Sequence, residues 1–504
     1  MIEVMDTTLR DGEQMKDLSY TSAEKLTISK MLLEEVKVDR IEIASARVSA
    51  GEKETVLKTM EWALSHEYGD RIEILGFTDH TKSVDWMEDT GCRVMNILAK
   101  GALSHVQMQL KKTPEEHFKD ILATVEYAEK KSISCNIYLE VWSNGMLESP
   151  DYVYDMIDAL KDSPIKRFML PDTLGLFCPQ QVTSFITDFI LRYPHLHFDF
   201  HAHNDYGLGT ANTLAAVRAG VHGIHCTVNG MGERAGNTAL DETIVCIHDF
   251  LKMKTNVDET KLCNISETVE VFSGKRIPFH KPVVGLNVFT QTAGIHADGD
   301  KKGNLYANPL LPERFNRKRH YALGKLSGKS NLEYNLKELG IELTKDQQKK
   351  ILERIIELGD KKAIITQEDL PYIISDVLER PEQKKYIIDS CIIVSGKGLK
   401  SIATVKLIYK AQENASETVF EETGQGDGGY DAFMDAIKKI TKQIKIALPE
   451  LIDYRVTIPP GGKTDALVQC SISWRNHKTY VTKGVHSDQV LAAVEATEKM
   501  LNLL

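Results

Sequence analysis

The sequence predicts a closed (β/α)8 TIM barrel, followed by a helical linker region and a C-terminal α/β domain of duplicated βββα units. Over residues 1–255, eight short β-branched runs alternate with amphipathic helical patterns, which is the number of repeats in such a barrel. An open doubly wound sheet would need a glycine-rich turn after its first strand, and the turn here contains only Gly12. Residues 386–504 then repeat a pattern of three strands and a helix twice.

Each barrel element has a local signal. The strands are predicted at 2–6, 40–45, 71–77, 93–99, 135–142, 167–172, 197–203 and 223–230. Helices are predicted between them, for example at 22–36 and 209–220. Thr21 and Glu24 have the spacing of a capping box at the start of the first helix, and Gly220 is typical of a helix end.

The pattern changes twice beyond the barrel. Residues 256–325 contain Gly, Pro and basic residues that predict an irregular linker, and 326–385 predicts a small helical unit. The last part is predicted to hold strands at 387–395, 401–409, 416–421, 452–458, 465–474 and 478–483, and helices at 430–446 and 486–503. From pattern alone, this doubled module is equally well explained as a small-molecule sensor or as an inert dimerisation module.

We therefore divide the chain into three predicted domains. A barrel occupies 1–265, linker subdomains that cap its open end occupy 266–385, and the doubled module occupies 386–504.

The composition argues against several classes of protein. The formal net charge is -10, so bulk electrostatics give no support for binding nucleic acid or an anionic membrane. The sequence has no uninterrupted apolar run long enough to span a membrane, and acidic residues interrupt any N-terminal signal peptide. The 8 cysteines form no C-x-x-C pair, which indicates reduced thiols and predicts a cytoplasmic protein.

Two histidines at the end of the seventh predicted strand are the strongest chemical signal. His201 and His203 are two residues apart, so both imidazoles lie on one face of the strand end. Neutral imidazoles bind divalent ions well, and barrel enzymes build their sites at the C-terminal ends of the strands. The alternative is a pair of histidines that are hydrogen-bonded in a polar barrel mouth.

Two loops add oxygen ligands and a cation. Arg10 and Asp11 follow the first strand, where a carboxylate can bind metal and a guanidinium can bind a substrate carboxylate; an ordinary ion pair is the alternative. Asn237 ends a glycine-rich turn after the eighth strand and can offer a carbonyl oxygen, while Glu233 and Arg234 can orient the ligands. The combined set of two nitrogens and two oxygens suits Zn²⁺, Mn²⁺, Co²⁺ or Mg²⁺ and does not choose among them.

Three further side chains are candidates for proton transfer. Glu140 lies two residues after Tyr138 on the fifth strand and points the same way, although a structural hydrogen-bond acceptor is equally common there. His296 and Tyr306 become candidates if the linker caps the barrel, but on their own they are better explained as surface loop residues.

Four motifs resemble those of one enzyme family, the 2-isopropylmalate, homocitrate and citramalate synthases. The motifs are D-T-T-L-R-D-G-E-Q (6–14), H-A-H-N-D-Y-G-L (201–208), N-G-M-G-E-R-A-G-N (229–237) and G-I-H-A-D-G (294–299). The resemblance runs essentially end to end. It implies a metal-dependent Claisen-type condensation in which acetyl-CoA loses a methyl proton, attacks the ketone of a 2-oxo acid and then loses CoA to water.

The resemblance also implies roles for single residues. Metal positions are matched by Asp11, His201, His203 and Asn237; keto-acid positions by Arg10 and Thr173; and catalytic positions by Arg10, Glu140, His296 and Tyr306. It further implies a homodimer in which the linker segment of one chain covers the barrel of its partner.

The same comparison gives an expectation for the keto acid. Leu75, Leu98 and Tyr138, at the ends of strands three to five, would form the pocket wall. Isopropylmalate synthases generally have a small residue in place of Tyr138 and commonly a histidine in place of Leu98. The pattern therefore resembles the citramalate branch, which uses pyruvate on a route to isoleucine; the alternative is 3-methyl-2-oxobutanoate, used on the route to leucine.

The doubled module resembles the family's amino-acid feedback domain. Its effector loops would be 426–431 and 458–465, with Tyr430, Asp431 and Tyr454 as predicted contacts. Isoleucine is the logical inhibitor of a citramalate enzyme and leucine of an isopropylmalate enzyme, and the loops alone do not separate them.

Two other classes of protein fit the sequence less well. A carbon–carbon lyase of the same barrel superfamily typically lacks the doubled module and has a glycine-rich cysteine loop, which this chain lacks. A non-catalytic sensor with an inactive barrel is disfavoured by the complete set of Asp11, His201 and His203.

Overall fold

A computed structural model describes residues 1–360, 365–378, 385–410, 417–457, 468–476 and 479–504. These residues form two compact units, one made of 1–289 and 307–319 and the other of 290–306 and 320–504. In the first unit, eight parallel strands form a closed barrel in chain order, so the predicted (β/α)8 barrel is confirmed. The division into three domains stays a prediction.

The barrel strands are β1 (Glu3–Asp6), β2 (Arg40–Ser45), β3 (Ile72–Phe77), β4 (Val94–Lys100), β5 (Ser134–Glu140), β6 (Ile165–Asp172), β7 (Phe198–Ala202) and β8 (Gly223–Cys226). The helices of this unit are α1 (Ser22–Lys30), α2 (Ala50–Ser65), α3 (Lys82–Thr90), α4 (Leu103–His105), α5 (Pro114–Lys130), α6 (Trp142–Glu148), α7 (Pro150–Leu160), α8 (Pro179–Arg192), α9 (Gly209–Ala219), α10 (Leu240–Cys246) and α11 (Leu262–Ser273).

Two predicted strands are shorter in the structure because the backbone turns into the left-handed region. The fifth strand ends at Glu140, since Val141 has a φ of 57°. The eighth ends at Cys226, and Val228–Gly230 then form a 3₁₀ turn in which Asn229 and Gly230 have φ values of 61° and 70°. The predicted capping box is present: the Thr21 side chain accepts from the Glu24 N–H, and Glu24 accepts from the Thr21 N–H.

The centre of the barrel is polar. Eight side chains there are at most 5% exposed and form what we call the interior network: Arg40, Glu42, Glu73, Asn96, Asn136, Tyr138, Asp199 and His225. Arg40 donates to Glu73 at 2.9 Å and to Asp199 at 2.5 Å, and Asn96 donates to Glu42 at 2.7 Å. Because an unpaired buried charge costs several kcal/mol, these pairings determine how the side chains are arranged.

The second unit contains β9 (Thr290–Gln291), α12 (Gly294–Lys301), β10 (His320–Tyr321), α13 (Lys329–Glu338), α14 (Lys345–Asp360), α15 (Leu370–Val377), β11 (Tyr386–Val394), β12 (Ser401–Tyr409), β13 (Thr418–Gly426), α16 (Gly429–Gln443), β14 (Glu450–Thr457), β15 (Val468–Arg475), β16 (Thr479–His486) and α17 (Gln489–Leu501). The strands β11–β13 and β14–β16 form two antiparallel sheets, and one apolar core contains residues of both βββα repeats. The predicted doubled module is therefore confirmed in the described residues, while the predicted loop 458–465 lies outside them.

The prediction of an irregular linker at 256–325 is wrong in two places. Residues 262–273 form α11, whose buried Leu262, Ile265 and Val269 follow helical spacing. Residues 294–301 form α12, although this segment contains Gly294 and Gly299, which weaken helix propensity. No helix in the described part of the chain is both long and apolar enough to cross a membrane.

Replacing Gly223 with alanine should lower the thermal unfolding midpoint. An added Cβ would lie 2.2 Å from Asp199 Oδ1, and the interior network holds that carboxylate in place. Overpacking of this kind costs about 1–3 kcal/mol. Gly51→Ala is the matched control, because its Cβ would meet only Ser49 Oγ at 3.8 Å and alanine favours a helix. Equal midpoints for the two variants in a calorimetric scan would contradict this account.

Candidate metal centre and active site

A compact turn after β1 presents the first two site residues. The carbonyl of Thr7 accepts from the N–H groups of Asp11 (2.9 Å) and Gly12 (3.0 Å). The Asp6 side chain accepts from the Thr8 N–H at 2.9 Å. This bonding places Arg10 and Asp11 at the C-terminal end of the barrel, where β1 ends.

Asp11, His201 and His203 come together as predicted. Their ligand atoms lie within 4.8 Å of one another, and all three side chains are buried. His201 Nε2 lies 3.2 Å from Asp11 Oδ2, and His203 Nε2 lies 3.8 Å from the same oxygen. Two imidazoles and a carboxylate at this spacing can bind one divalent ion.

Several buried atoms of this cluster have no hydrogen-bond partner among the described residues. They are Asp11 Oδ1, His201 Nδ1, His203 Nδ1 and Asn237 Oδ1. Asn237 is paired with His203 through a backbone bridge, and its Nδ2 donates to the Met231 carbonyl, which leaves its oxygen available. Buried polar atoms without partners are costly in a folded protein, so their concentration here fits a bound cation.

The charges of the cluster also suit a cation. Burial opposes ionisation of Asp11, but the charge of Arg10 and the hydrogen bond from His201 outweigh it and hold its pKa well below the usual value. Burial lowers the pKa of His203 to about 4, so this imidazole is neutral at pH 7 and has a lone pair for a metal.

Arg10 joins the cluster to the interior network. Its guanidinium contacts Asp11 at 3.0 Å, Glu42 at 2.5 Å and the Tyr138 hydroxyl at 3.4 Å. It also lies 5.6 Å from the centroid of the Tyr138 ring. A guanidinium has five N–H donors, so two remain for a substrate carboxylate after these three contacts.

The three predicted pocket residues lie in one apolar cluster. Leu75 and Tyr138 are buried there with Met5 and Met169, and Leu98 packs against them. The Tyr138 ring stands edge-on to His201 with 6.1 Å between ring centroids. The predicted wall is therefore next to the candidate metal ligands.

Glu140 and Thr173 are held close together by an unusual backbone conformation. Val141 has a φ of 57°, which is rare for a β-branched residue, and its N–H donates to Thr173 Oγ1 at 2.9 Å. Glu140 forms an ion pair with Lys100, its neighbour in the β4–β5 register. Their catalytic roles stay predictions.

Arg234 connects three loops at this end of the barrel. It contacts Asp205 at 2.8 Å after β7, the Thr173 carbonyl at 2.7 Å after β6, and Glu233 at 3.2 Å in its own loop after β8. This arrangement supports the expectation that Arg234 orients the groups that could bind metal.

The remaining predicted residues belong to the second unit. His296 lies on α12, and not on a surface loop, which is where its sequence context alone placed it. Its ring centroid is 4.3 Å from that of Tyr306. Tyr430 and Tyr454 also contact each other, with 5.1 Å between ring centroids. Asp431 accepts from the Asp427 N–H at 3.0 Å. The functions of all five stay predictions.

Sequence reasoning missed Glu42, Lys100, Asp199 and His225. Glu42, Asp199 and His225 lie inside strands, and a charged or polar residue within a mostly apolar run was the available signal. Lys100 is the last residue of β4, where barrel sites are expected.

The fold and this cluster define a (β/α)8-barrel protein that can bind a divalent cation at the C-terminal ends of its strands. Three family models match the chain: HMGL-like over residues 1–269, homocitrate synthase post-HMGL domain-like over 283–363, and LeuA allosteric (dimerisation) domain over 364–504.

Two curated relatives from Methanocaldococcus jannaschii match over nearly the whole length. One, (R)-citramalate synthase CimA, is 32% identical over 100% of this chain and 99% of its own. The other, 2-isopropylmalate synthase, is 33% identical over 99% of this chain and 94% of its own. The chain belongs to the HMGL-like family, in the group that contains the citramalate and 2-isopropylmalate synthases.

Replacing His203 with alanine should weaken Mn²⁺ binding by more than about 100-fold, because even residues that only orient a ligand typically contribute 10–100-fold. Affinity would be measured by calorimetry on protein that has been treated with a chelator. His80→Gln is the control, since His80 has an exposed side chain that lies 3.3 Å from Asp120. Retention of one ion per chain by the His203 variant after dialysis would show that the cluster is not the metal site.

Proposed function

We propose that this chain condenses acetyl-CoA with pyruvate to form (R)-citramalate and CoA, the first step of a pyruvate route to isoleucine. The main support is the position of Tyr138, which is buried in the apolar cluster and stands beside His201. In this proposal the ring shortens the pocket, so that it takes the single methyl of pyruvate and excludes an isopropyl group. All eight cysteines, which lie in the described ranges, are free thiols, as suits a cytoplasmic enzyme.

In this proposal Asp11, His201, His203 and Asn237 hold a divalent ion, whose chemistry is to polarise the ketone of the keto acid. Zn²⁺, Mn²⁺, Co²⁺ and Mg²⁺ all match the donor set. Arg10 binds the carboxylate of pyruvate with its remaining N–H donors, and Thr173 assists from the loop after β6. The positive charge of Arg10 offsets the repulsion that a protein with a net charge of -10 exerts on an anionic substrate.

Glu140 takes a proton from the methyl group of acetyl-CoA. It is partly exposed at the end of β5, where a substrate can approach, and its carboxylate is paired with Lys100. The new carbon–carbon bond joins that methyl carbon to the ketone carbon of pyruvate. His296 or Tyr306 supplies a proton to the resulting alkoxide, and water then cleaves the thioester to release CoA.

The alternative substrate is 3-methyl-2-oxobutanoate. The 2-isopropylmalate synthase of Methanocaldococcus jannaschii is as similar to this chain as the citramalate enzyme of the same organism. Overall sequence identity therefore does not separate the two activities, and the choice between the two substrates rests on the residues of the pocket wall.

The rate of CoA release should be higher with pyruvate than with 3-methyl-2-oxobutanoate at equal concentration. Each additional methylene in an apolar pocket changes discrimination by about 1–3 kcal/mol. Tyr138→Ser should shift the ratio of kcat/KM towards the branched acid, because it removes the ring from the pocket. A wild-type preference for the branched acid would refute the pyruvate assignment, and an unchanged ratio in the variant would refute the position of the wall.

We further propose that the C-terminal domain binds isoleucine and that the enzyme is a homodimer. The match to an allosteric and dimerisation domain supports both points in general terms. Tyr430 and Tyr454 come from different βββα repeats and are in contact, so a ligand near them would be linked to both halves of the domain. The carboxylate of Asp431 would bind the ammonium group of the amino acid.

Isoleucine should raise the thermal unfolding midpoint of the full chain, by mass action on the folded state. At 100 times the dissociation constant this stabilisation is about 2.7 kcal/mol. Asp431→Asn should abolish most of the shift. Asp435→Asn, one turn later on α16 and paired with Lys439, should retain it. A larger shift with leucine than with isoleucine would point to the leucine route instead.

A further inference from the structure

The hydroxyl of Tyr138 is held by a histidine that the proposed reaction does not use. Tyr138 Oη lies 3.2 Å from His225 Nδ1, and both side chains are at most 3% exposed. The other ring nitrogen, His225 Nε2, lies 3.2 Å from Asp199 Oδ2. These three residues come from β5, β8 and β7, so the contacts span the interior of the barrel.

Asp199, the last residue in this series of contacts, is held in place by two further partners. Its Oδ2 accepts from Arg40 at 2.5 Å, and its Oδ1 lies 2.9 Å from His197 Nε2. Both oxygens of Asp199 therefore have partners, and one of these partners is the buried guanidinium of Arg40. A carboxylate paired with a guanidinium accepts hydrogen bonds, so His225 Nε2 donates to it.

The direction of the remaining contacts follows from this. In the neutral ring with its proton on Nε2, Nδ1 has a lone pair that accepts from the Tyr138 hydroxyl at 3.2 Å. The phenol oxygen accepts from Arg10 at 3.4 Å, and the hydroxyl also lies 3.4 Å from Glu42 Oε2, a longer contact than the one to His225. The contacts from Tyr138 through His225 to Asp199, at 3.2 Å each, form a continuous series across the interior of the barrel.

We propose that His225 and Asp199 are positioning residues that determine substrate specificity by fixing the ring of Tyr138. With its hydroxyl bound to His225, the ring cannot turn aside, and the pocket stays too short for 2-oxo acids larger than pyruvate. This inference rests on the proposed function, because it concerns the pocket of that reaction.

A purely structural role is the competing explanation. Buried polar networks stabilise a fold, and replacing any member would lower stability without changing substrate preference. The two explanations differ in the ratio of kcat/KM for pyruvate to that for 2-oxobutanoate, which has one more methylene.

Three variants separate them. His225→Asn places an amide oxygen close to the position of Nδ1 and retains an acceptor for the Tyr138 hydroxyl. His225→Gln places its amide near Nε2 and retains only the contact with Asp199. Tyr138→Phe removes the hydroxyl and keeps the ring, so it tests the inference even if the glutamine variant does not fold.

The specificity ratio should fall about 10-fold in His225→Gln and in Tyr138→Phe, the lower end of what one methylene contributes, and stay within about threefold of wild type in His225→Asn. Calorimetric binding of each acid to Mn²⁺-loaded protein without acetyl-CoA measures the corresponding ratio of affinities without turnover. An unchanged ratio in both His225→Gln and Tyr138→Phe would overturn the inference. Wild-type preference tests the proposed function separately, since the inference is judged on the change between variants and wild type.

Discussion

The rest of the site depends on the ion pairs that the guanidinium of Arg10 makes. It pairs with Asp11 at the candidate metal cluster and with Glu42 in the interior network, and it touches the Tyr138 hydroxyl. One cation thereby balances two buried carboxylates and connects the end of β1 to β2 and β5. Because buried charges must be paired, the cluster and the pocket wall are positioned together, and a change at one is felt at the other.

Most of the barrel could be predicted from the sequence, because each strand is a short β-branched run and each connection has helical spacing. The departures have local causes. Val141 and Asn229 leave the strand conformation at positive φ, which a pattern of residue types does not reveal. Helix α12 contains Gly294 and Gly299, and Asp298 and Asp300 lie on either side of the second glycine, so its helix propensity is weak and packing in the folded unit must stabilise it.

The sequence predicts those residues of the candidate site that lie at or just after the ends of strands. Asp11, His201 and His203 stand at the ends of β1 and β7, and their types already indicate metal binding. Asp199 and His225 were not found, because a single polar residue in a strand is usually assumed to face solvent. A closed barrel buries both faces of its strands, so such residues point into the interior and find partners far away in sequence, as Tyr138 does 87 residues from His225.

The left-handed backbone at Val141 carries a cost that the fold must compensate, of order 1–2 kcal/mol for a residue with a branched side chain. The hydrogen bond from its N–H to Thr173 Oγ1 holds this strained conformation directly beside Glu140. Replacing Val141 with glycine would remove this cost and should make the folded protein more stable. The same exchange would make the connection between β5 and β6 more flexible, so Glu140 and Thr173 would be held less precisely.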